Sequence, residues 1–384
     1  MTARVMAPSM LPGTLDRLRD LREGLVANPR FRRWAARFPL TRPVARRRTR
    51  ALFDLCAGFV YSQVLLACVR LRLCELLRAE GAMSAAALAP RLGLDEAAAQ
   101  RLLGAAASLG LVARRRGGRF ALGPLGAALV GNAGLVAMVE HHAALYADLR
   151  DPVALLRGEG RGATDLARLW PYAGEARPEA LGAAEVAAYS TLMAASQAMI
   201  AEEVLDVAPL RAHRCLLDLG GGEGVFLAAA AARAPHLQLL LFDLPAVAER
   251  ARARFAREGL GGRAQAIGGD FLRDPLPAGA DLISLVRVLH DHDDDVALAI
   301  LRAARRALPT DGSLLLAEPM AGTPDAEPAG EAYFGFYLLA MGQGRPRRPA
   351  EIDGLLRAAG FGPARLLRTG TPLLVRAMLA RPVA

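Results

Sequence analysis

The chain has 384 residues, 53% of them hydrophobic and 22% charged, with a formal net charge of +10. That length leaves room for a catalytic domain and a smaller one. The four cysteines, Cys56, Cys68, Cys74 and Cys215, stand singly in apolar surroundings, which excludes a paired metal spacing and points to reduced core thiols in a cytosolic protein.

The N-terminus lacks an apolar core followed by a cleavage site, so no signal peptide is expected. No apolar run looks long and uninterrupted enough to span a bilayer. Residues 1–50 hold thirteen arginines against three acids, so this basic arm carries the whole net charge. It also carries Phe31, Trp34 and Phe38, and arginines interleaved with rings suit an anionic membrane surface. A solvated arm, or one packed on a partner subunit, explains the same charge.

Residues 51–78 have helical periodicity. Ser84 is placed to cap a short helix through Leu92, and Asp95 another through about Ser108. Two short strands around a glycine turn follow, from Leu111 to Leu122. Together these make a winged-helix domain over 51–130. Its second helix opens with Asp95 and Glu96, which would face phosphates, so DNA binding is not expected. Residues 131–210 are alanine-rich and mostly helical, interrupted near Gly158–Gly162 and Pro171–Pro178; they are expected to bridge the domains and wall a substrate pocket. His141 and His142 lie here without accompanying ligand residues, so they are expected to be solvated or capping side chains, and no metal is expected.

From about residue 211 strands and helices alternate to the C-terminus, as in a Rossmann-like α/β domain. Leu216–Leu219 is an apolar strand with Asp218 near its end, and Gly220, Gly222 and Gly224 follow. Missing side chains there let a ligand lie against the backbone. The second apolar run, Leu237–Phe242, ends at Asp243, where a carboxylate can grip two ribose hydroxyls. The G-x-G-x-G spacing departs from the G-x-G-x-x-G of dinucleotide sites and suits a nucleoside without a pyrophosphate. Asp270 and Phe271 then offer a carboxylate and a flat ring to an adenine, and Leu314–Ala317 is a further strand ending in an acid, Glu318.

This series, with Leu289-His290-Asp291, closely resembles the S-adenosylmethionine-dependent small-molecule O-methyltransferases, over nearly the whole chain from about Ala51. The resemblance implies that Asp218, Gly220, Gly222, Asp243, Asp270 and Phe271 bind S-adenosylmethionine, with Arg287 near its carboxylate. It makes His290 the general base and Glu318 the residue that orients it. Tyr333, Phe336, Tyr337 and Met341 fall in the family's substrate-contact region. It also implies a homodimer in which the winged helix dimerises and helps close the partner's pocket. His292 stands where phenol-methylating members have tryptophan. Gly342–Arg348 lacks the second glutamate of those members, which makes a phenolic substrate less expected.

Residues 33–42 and 53–63 resemble the branch of the family from purple photosynthetic bacteria. That branch methylates the tertiary hydroxyl of acyclic carotenoids such as hydroxyneurosporene and demethylspheroidene. The expectation is therefore a cytoplasmic enzyme, peripheral on the membrane that dissolves its substrate. The alternatives are methylation of a bacteriochlorophyll precursor or polyketide phenol, and a cofactor-binding winged-helix regulator.

Overall fold

The structure, a computed structural model, describes residues 12–170 and 182–383; the expected interruption at Pro171–Pro178 lies outside them. The chain divides into two compact units after Pro124.

The first unit begins with α1 (Pro12–Ala27), α2 (Pro29–Arg37) and α3 (Arg42–Arg70). The basic arm is therefore helical, and the expected boundary at residue 50 is not a structural one. Arg50 to Arg70 contains no proline and one glycine, so nothing breaks α3 where the composition changes from charged to apolar. α3 also corrects the expectation about apolar runs: by length and composition it could cross a membrane, and only 17% of its apolar stretch is buried. Polar Asp54, Ser62 and Gln63 interrupt the run in sequence without interrupting the helix.

A left-handed Arg72 turns the chain into α4 (Leu73–Glu80). Then come β1 (Met83–Ser84), α5 (Ala85–Leu92), α6 (Glu96–Ser108), β2 (Val112–Arg115) and β3 (Arg119–Leu122). Ser84 and Asp95 cap α5 and α6 by accepting from the amides of Ala87 (3.2 Å) and Ala98 (2.7 Å), as their positions predict. The strands form an antiparallel sheet in the order β1-β3-β2, turning at Gly117 and Gly118, both at positive φ. This is the expected wing.

The second unit opens with helices: α7 (Pro124–Leu129), α8 (Ala133–Asp148), α9 (Pro152–Leu156), α10 (Asp165–Leu169) and α11 (Ala183–Leu205). α8 and α11 touch at Gly134, where a Cβ would collide with the Ala195 carbonyl oxygen. Next follow β4 (Cys215–Leu219), α12 (Val225–Arg233), β5 (Gln238–Asp243), α13 (Pro245–Arg257), β6 (Ala264–Gly268), β7 (Leu282–Val286), α14 (Asp294–Ala307) and β8 (Ser313–Glu318). The chain closes with α15 (Gly335–Met341), α16 (Pro349–Ala358), β9 (Arg365–Leu367) and β10 (Arg376–Ala380).

Seven strands form one sheet in the order β6-β5-β4-β7-β8-β10-β9. β6 through β8 run parallel and β10 is antiparallel to both neighbours. All residues of β7 and β8 are buried, which is why they read as continuous apolar runs. Alternate residues feed two cores. Leu216, Leu239 and Leu315 meet α11, α12 and α13; Leu217, Ile283 and Leu316 meet α14 and α16. Strand order reverses between β4 and β7, and at such a switch point the carboxyl ends of the strands open a crevice.

Candidate active site

The carboxyl ends of β4, β5, β6 and β7 meet around one cavity of about 350 Å³. Its floor is the turn after β4. Gly220 and Gly222 both have positive φ, 67° and 58°. A Cβ on Gly220 would press on Val288, 2.8 Å away, whereas one on Gly222 would meet nothing within 4 Å. Bare backbone thus faces the cavity, which is what close approach of a ligand requires.

Asp243 accepts from the amides of Gly222 (Oδ2, 2.8 Å) and Leu244 (Oδ1, 2.7 Å), so it pins the glycine turn while lining the cavity. Burial pushes its carboxyl up to about 6, against the pull of those two amides. Asp218 is buried and does not line the cavity. Its Oδ1 accepts from the Ser284 hydroxyl at 2.6 Å, and its Oδ2, beneath Gly221, has no hydrogen-bond partner. Burial raises its carboxyl to about 7.

Asp270 and Phe271 line the next part of the wall, with Asp270 accepting from Leu272 N at 2.8 Å. Phe271 meets the His292 ring edge-on at 5.9 Å, and Trp170 lies 6.4 Å beyond His292. An indole therefore borders His292 after all, supplied from the end of α10 rather than from the strand loop. Burial, then the neighbouring His290, lowers His292 to about 4, leaving a neutral ring in this wall at neutral pH. Arg287 also lines the cavity, in a left-handed conformation (φ 60°), with Nη1 donating to Ser196 Oγ at 2.9 Å. The far wall is α11, through Ser190, Met193 and Gln197, with Gln343 nearby. The sequence pointed to residues 131–210 as pocket walls but singled out neither Trp170 nor any α11 residue, since an alanine-rich helix shows no distinctive pattern, and it gave no sign of Gln343.

His290 sits in a 3₁₀ turn, Leu289–Asp291, just beyond β7. Its Nδ1 donates to Glu318 Oε2 at 2.5 Å, while Glu318 Oε1 accepts from the amides of Val288 (3.1 Å) and Leu289 (2.8 Å). The other ring nitrogen, Nε2, is 3.2 Å from Asp291 Oδ1. Asp291 and His292 line the cavity; His290, 6% exposed, stands one step behind them. Burial opposes protonation of His290, but Asp291 and Glu318 outweigh it and raise the imidazole above its usual value.

None of the four expected substrate residues lines this cavity. Tyr333 lies in a π-helical turn (Ala329–Phe334) and Tyr337 follows in α15; their hydroxyls bond His142 Nε2 (2.7 Å) and His141 Nε2 (2.8 Å). The two histidines are thus neither solvated nor capping, because α15 covers that face of α8. Burial lowers both, His141 to about 4. Met341 is a packing residue, enclosed by Leu145, Leu155, Leu166 and Trp170, while Phe336 is half-buried. Phe334, which the sequence did not single out, meets the His290 ring edge-on at 6.0 Å.

A nucleoside sulfonium fits these residues. The open glycine turn, the strand-end carboxylate of Asp243, the ring wall of Phe271, His292 and Trp170, and the guanidinium of Arg287 match its ribose, base and amino-acid parts.

Two expectations follow. Asp243 is raised from 3.8 to about 6 on folding, so its stability contribution is present below pH 3.8 and lost as pH rises through about 6. Asp243→Asn should leave the apoprotein at least as stable at pH 7 by urea unfolding. Calorimetry should nevertheless find S-adenosylmethionine binding weaker by roughly ten- to a hundredfold, the cost of losing bonds to a charged acceptor. An unchanged affinity would remove Asp243 from the ribose site. Secondly, the chain has 2 tryptophans, of which only Trp170 lines the cavity. Cofactor should change the fluorescence of the parent protein and leave that of Trp170→Phe unaltered.

Comparison with known proteins agrees with this geometry. Residues 146–362 match an O-methyltransferase domain and residues 53–132 an O-methyltransferase dimerisation domain. Demethylspheroidene O-methyltransferase of Cereibacter sphaeroides is 45% identical over 93% of this chain and 93% of its own length. The Rhodobacter capsulatus protein of the same name is 44% identical over 88% of this chain and 83% of its own. The structure of human N-acetylserotonin methyltransferase in complex with S-adenosylmethionine superposes with a TM-score of 0.72 at 25% identity, covering 88% of this chain and 98% of that one. The cavity, the histidine turn behind it and the dimerisation module preceding them thus belong together: the chain is a member of the S-adenosylmethionine-dependent O-methyltransferase family.

Proposed function

We propose that this protein methylates the tertiary hydroxyl of an acyclic carotenoid such as demethylspheroidene, with His290 as general base. The observation that carries the mechanism is the His290–Glu318 pair at the carboxyl ends of β7 and β8, directly behind the cofactor cavity. The substrate class rests on the two relatives that bear the demethylspheroidene name. The segment Gly342–Arg348, which packs on the His290 turn through Arg345 N, also contains no carboxylate.

S-adenosylmethionine, when bound, supplies a methyl group already activated on a sulfonium. The remaining work is alignment of the acceptor oxygen and removal of its proton, and alignment alone can supply several kcal/mol. A tertiary alcohol is far less acidic than a phenol of about pKa 10, so proton transfer to His290 Nε2 accompanies C–O bond formation rather than preceding it. Glu318 fixes the Nδ1–H tautomer, which leaves the Nε2 lone pair as the acceptor, and stabilises the imidazolium as it forms.

Docking on an anionic membrane through the arm belongs to the same proposal. On α2 and its C-cap, Phe31, Trp34 and Phe38 form a row of rings (5.6 and 4.9 Å between successive centroids) among Arg30, Arg32, Arg33 and Arg37, and Trp34 is 50% exposed. Such docking supports a cytoplasmic enzyme peripheral on the membrane that dissolves its substrate.

Isotopically labelled S-adenosylmethionine, with demethylspheroidene, hydroxyneurosporene, a bacteriochlorophyllide and a catechol in lipid vesicles, tests the substrate. Label should enter the carotenoid methyl ether; label confined to tetrapyrrole or catechol would discard that substrate class. His290→Gln should retain cofactor binding and lose turnover by a hundredfold or more, roughly what a positioned base contributes. Because His290 must be neutral to accept a proton and its pKa is raised, the acid limb of kcat should fall above the usual histidine value of about 6.5. Arg33→Glu with Trp34→Glu should abolish flotation of the full chain with anionic liposomes; undiminished flotation would reject the arm.

A further inference from the structure

The turn that carries His290 is held from two sides. Glu318 takes the amides on one side. On the other, the segment after α15 takes the carbonyls: Arg345 N donates to His290 O at 2.9 Å. Gly344, at φ +79°, lies so close that a Cβ would collide with the His290 carbonyl oxygen.

Arg347 completes this arrangement. It is 3% exposed, and each nitrogen of its guanidinium donates. Nη1 donates to Leu289 O at 2.6 Å, Nη2 to His292 O at 2.7 Å, and Nε to Asp294 Oδ1 at 2.8 Å. The two carbonyls bracket His290 in sequence. Within the turn the Leu289 carbonyl accepts only a long bond from His292 N, at 3.3 Å, and Arg347 adds a shorter one there while supplying a donor to His292 O; leaving such buried carbonyls underpaired is costly. A planar fork of fixed geometry can satisfy both at once and thereby fix their separation, which a lysine ammonium cannot.

We infer that Arg347 is a positioning residue for methyl transfer: by fixing the backbone on both sides of His290 it sets where Nε2 points. Arg347 itself touches neither the cavity nor the His290 ring. Its action passes through the carbonyls of Leu289 and His292, while Glu318 holds the ring from the other side. The inference rests on the reading of His290 as the base.

The test uses the full-length enzyme with Arg347→Ala, Arg347→Lys, His290→Gln and the His290→Gln/Arg347→Ala double variant. Turnover is measured with labelled S-adenosylmethionine and a carotenoid that the parent enzyme methylates. Rates are expressed per cofactor-binding site, counted by equilibrium dialysis, so that unfolded protein drops out. Arg347→Ala should lower kcat per site by one to two orders of magnitude, the loss expected of a reacting group displaced by about 1 Å. Cofactor Kd and substrate KM should stay within about threefold. Arg347→Lys should recover part of the rate, and serves in place of the alanine variant if that does not fold. In the His290→Gln background the alanine change should cost little more, since both changes disable one unit. Wild-type kcat per site in the arginine variants, with His290→Gln inactive, would overturn the inference alone. Full loss added on top of His290→Gln would overturn it too, by assigning Arg347 a role apart from His290. Retained turnover in His290→Gln would overturn the base reading and this inference with it.

Discussion

A buried carboxylate at the end of β8 organises the catalytic half of the molecule. Glu318 is 2% exposed and accepts from two amides and an imidazole, all from the residues just beyond β7. Removing one partner from such a group leaves an uncompensated charge in the core, which typically costs about 3–5 kcal/mol. The parallel register of β7 and β8, with Val286 opposite Ala317, brings Glu318 beside the turn, and β10 closes over it from the other side, with Arg376 opposite Glu318. Sheet pairing and histidine geometry are therefore one constraint. A shift of register by one residue would point Glu318 to the opposite face of the sheet.

The cavity shows the same economy of groups on its cofactor side. Asp243 both pins the glycine turn and faces the cavity, and Asp218 sits beneath that turn with one oxygen unpaired. Burial raises both carboxyls. These acids oppose the stability of the apoprotein, which is the expected pattern where a site is built to receive a polar ligand rather than to stand alone.

What the sequence made legible follows from this architecture. Parallel strands buried on both faces are continuous apolar runs whose ends mark the crevice, so Asp243 at the end of β5, Asp270 two residues past β6 and Glu318 at the end of β8, behind the cavity, could be placed by counting. Caps at Ser84 and Asp95 were equally plain because capping is local. Most of the failures involve partners distant in the chain. His141 and His142 looked like surface residues until the π-helical turn supplied Tyr333 and α15 supplied Tyr337. Met341 looked like a ligand contact until α8, α9 and α10 enclosed it. Trp170 lies far in sequence from the ring wall it joins, and Arg347 is one arginine in a short run of basic residues until the fold buries it. The boundary at residue 50 failed for a different reason: charge changes there, but backbone propensity does not.

That unbroken helix has a mechanical consequence. α3 runs 29 residues, about 43 Å at 1.5 Å per residue, from the basic region into the winged-helix unit without a hinge. Its basic end is therefore a lever rather than a tether. A flexible linker would transmit only proximity, whereas a continuous helix transmits orientation. Whatever surface seizes the arginine-rich end also fixes the angle at which the apolar end of α3 is presented.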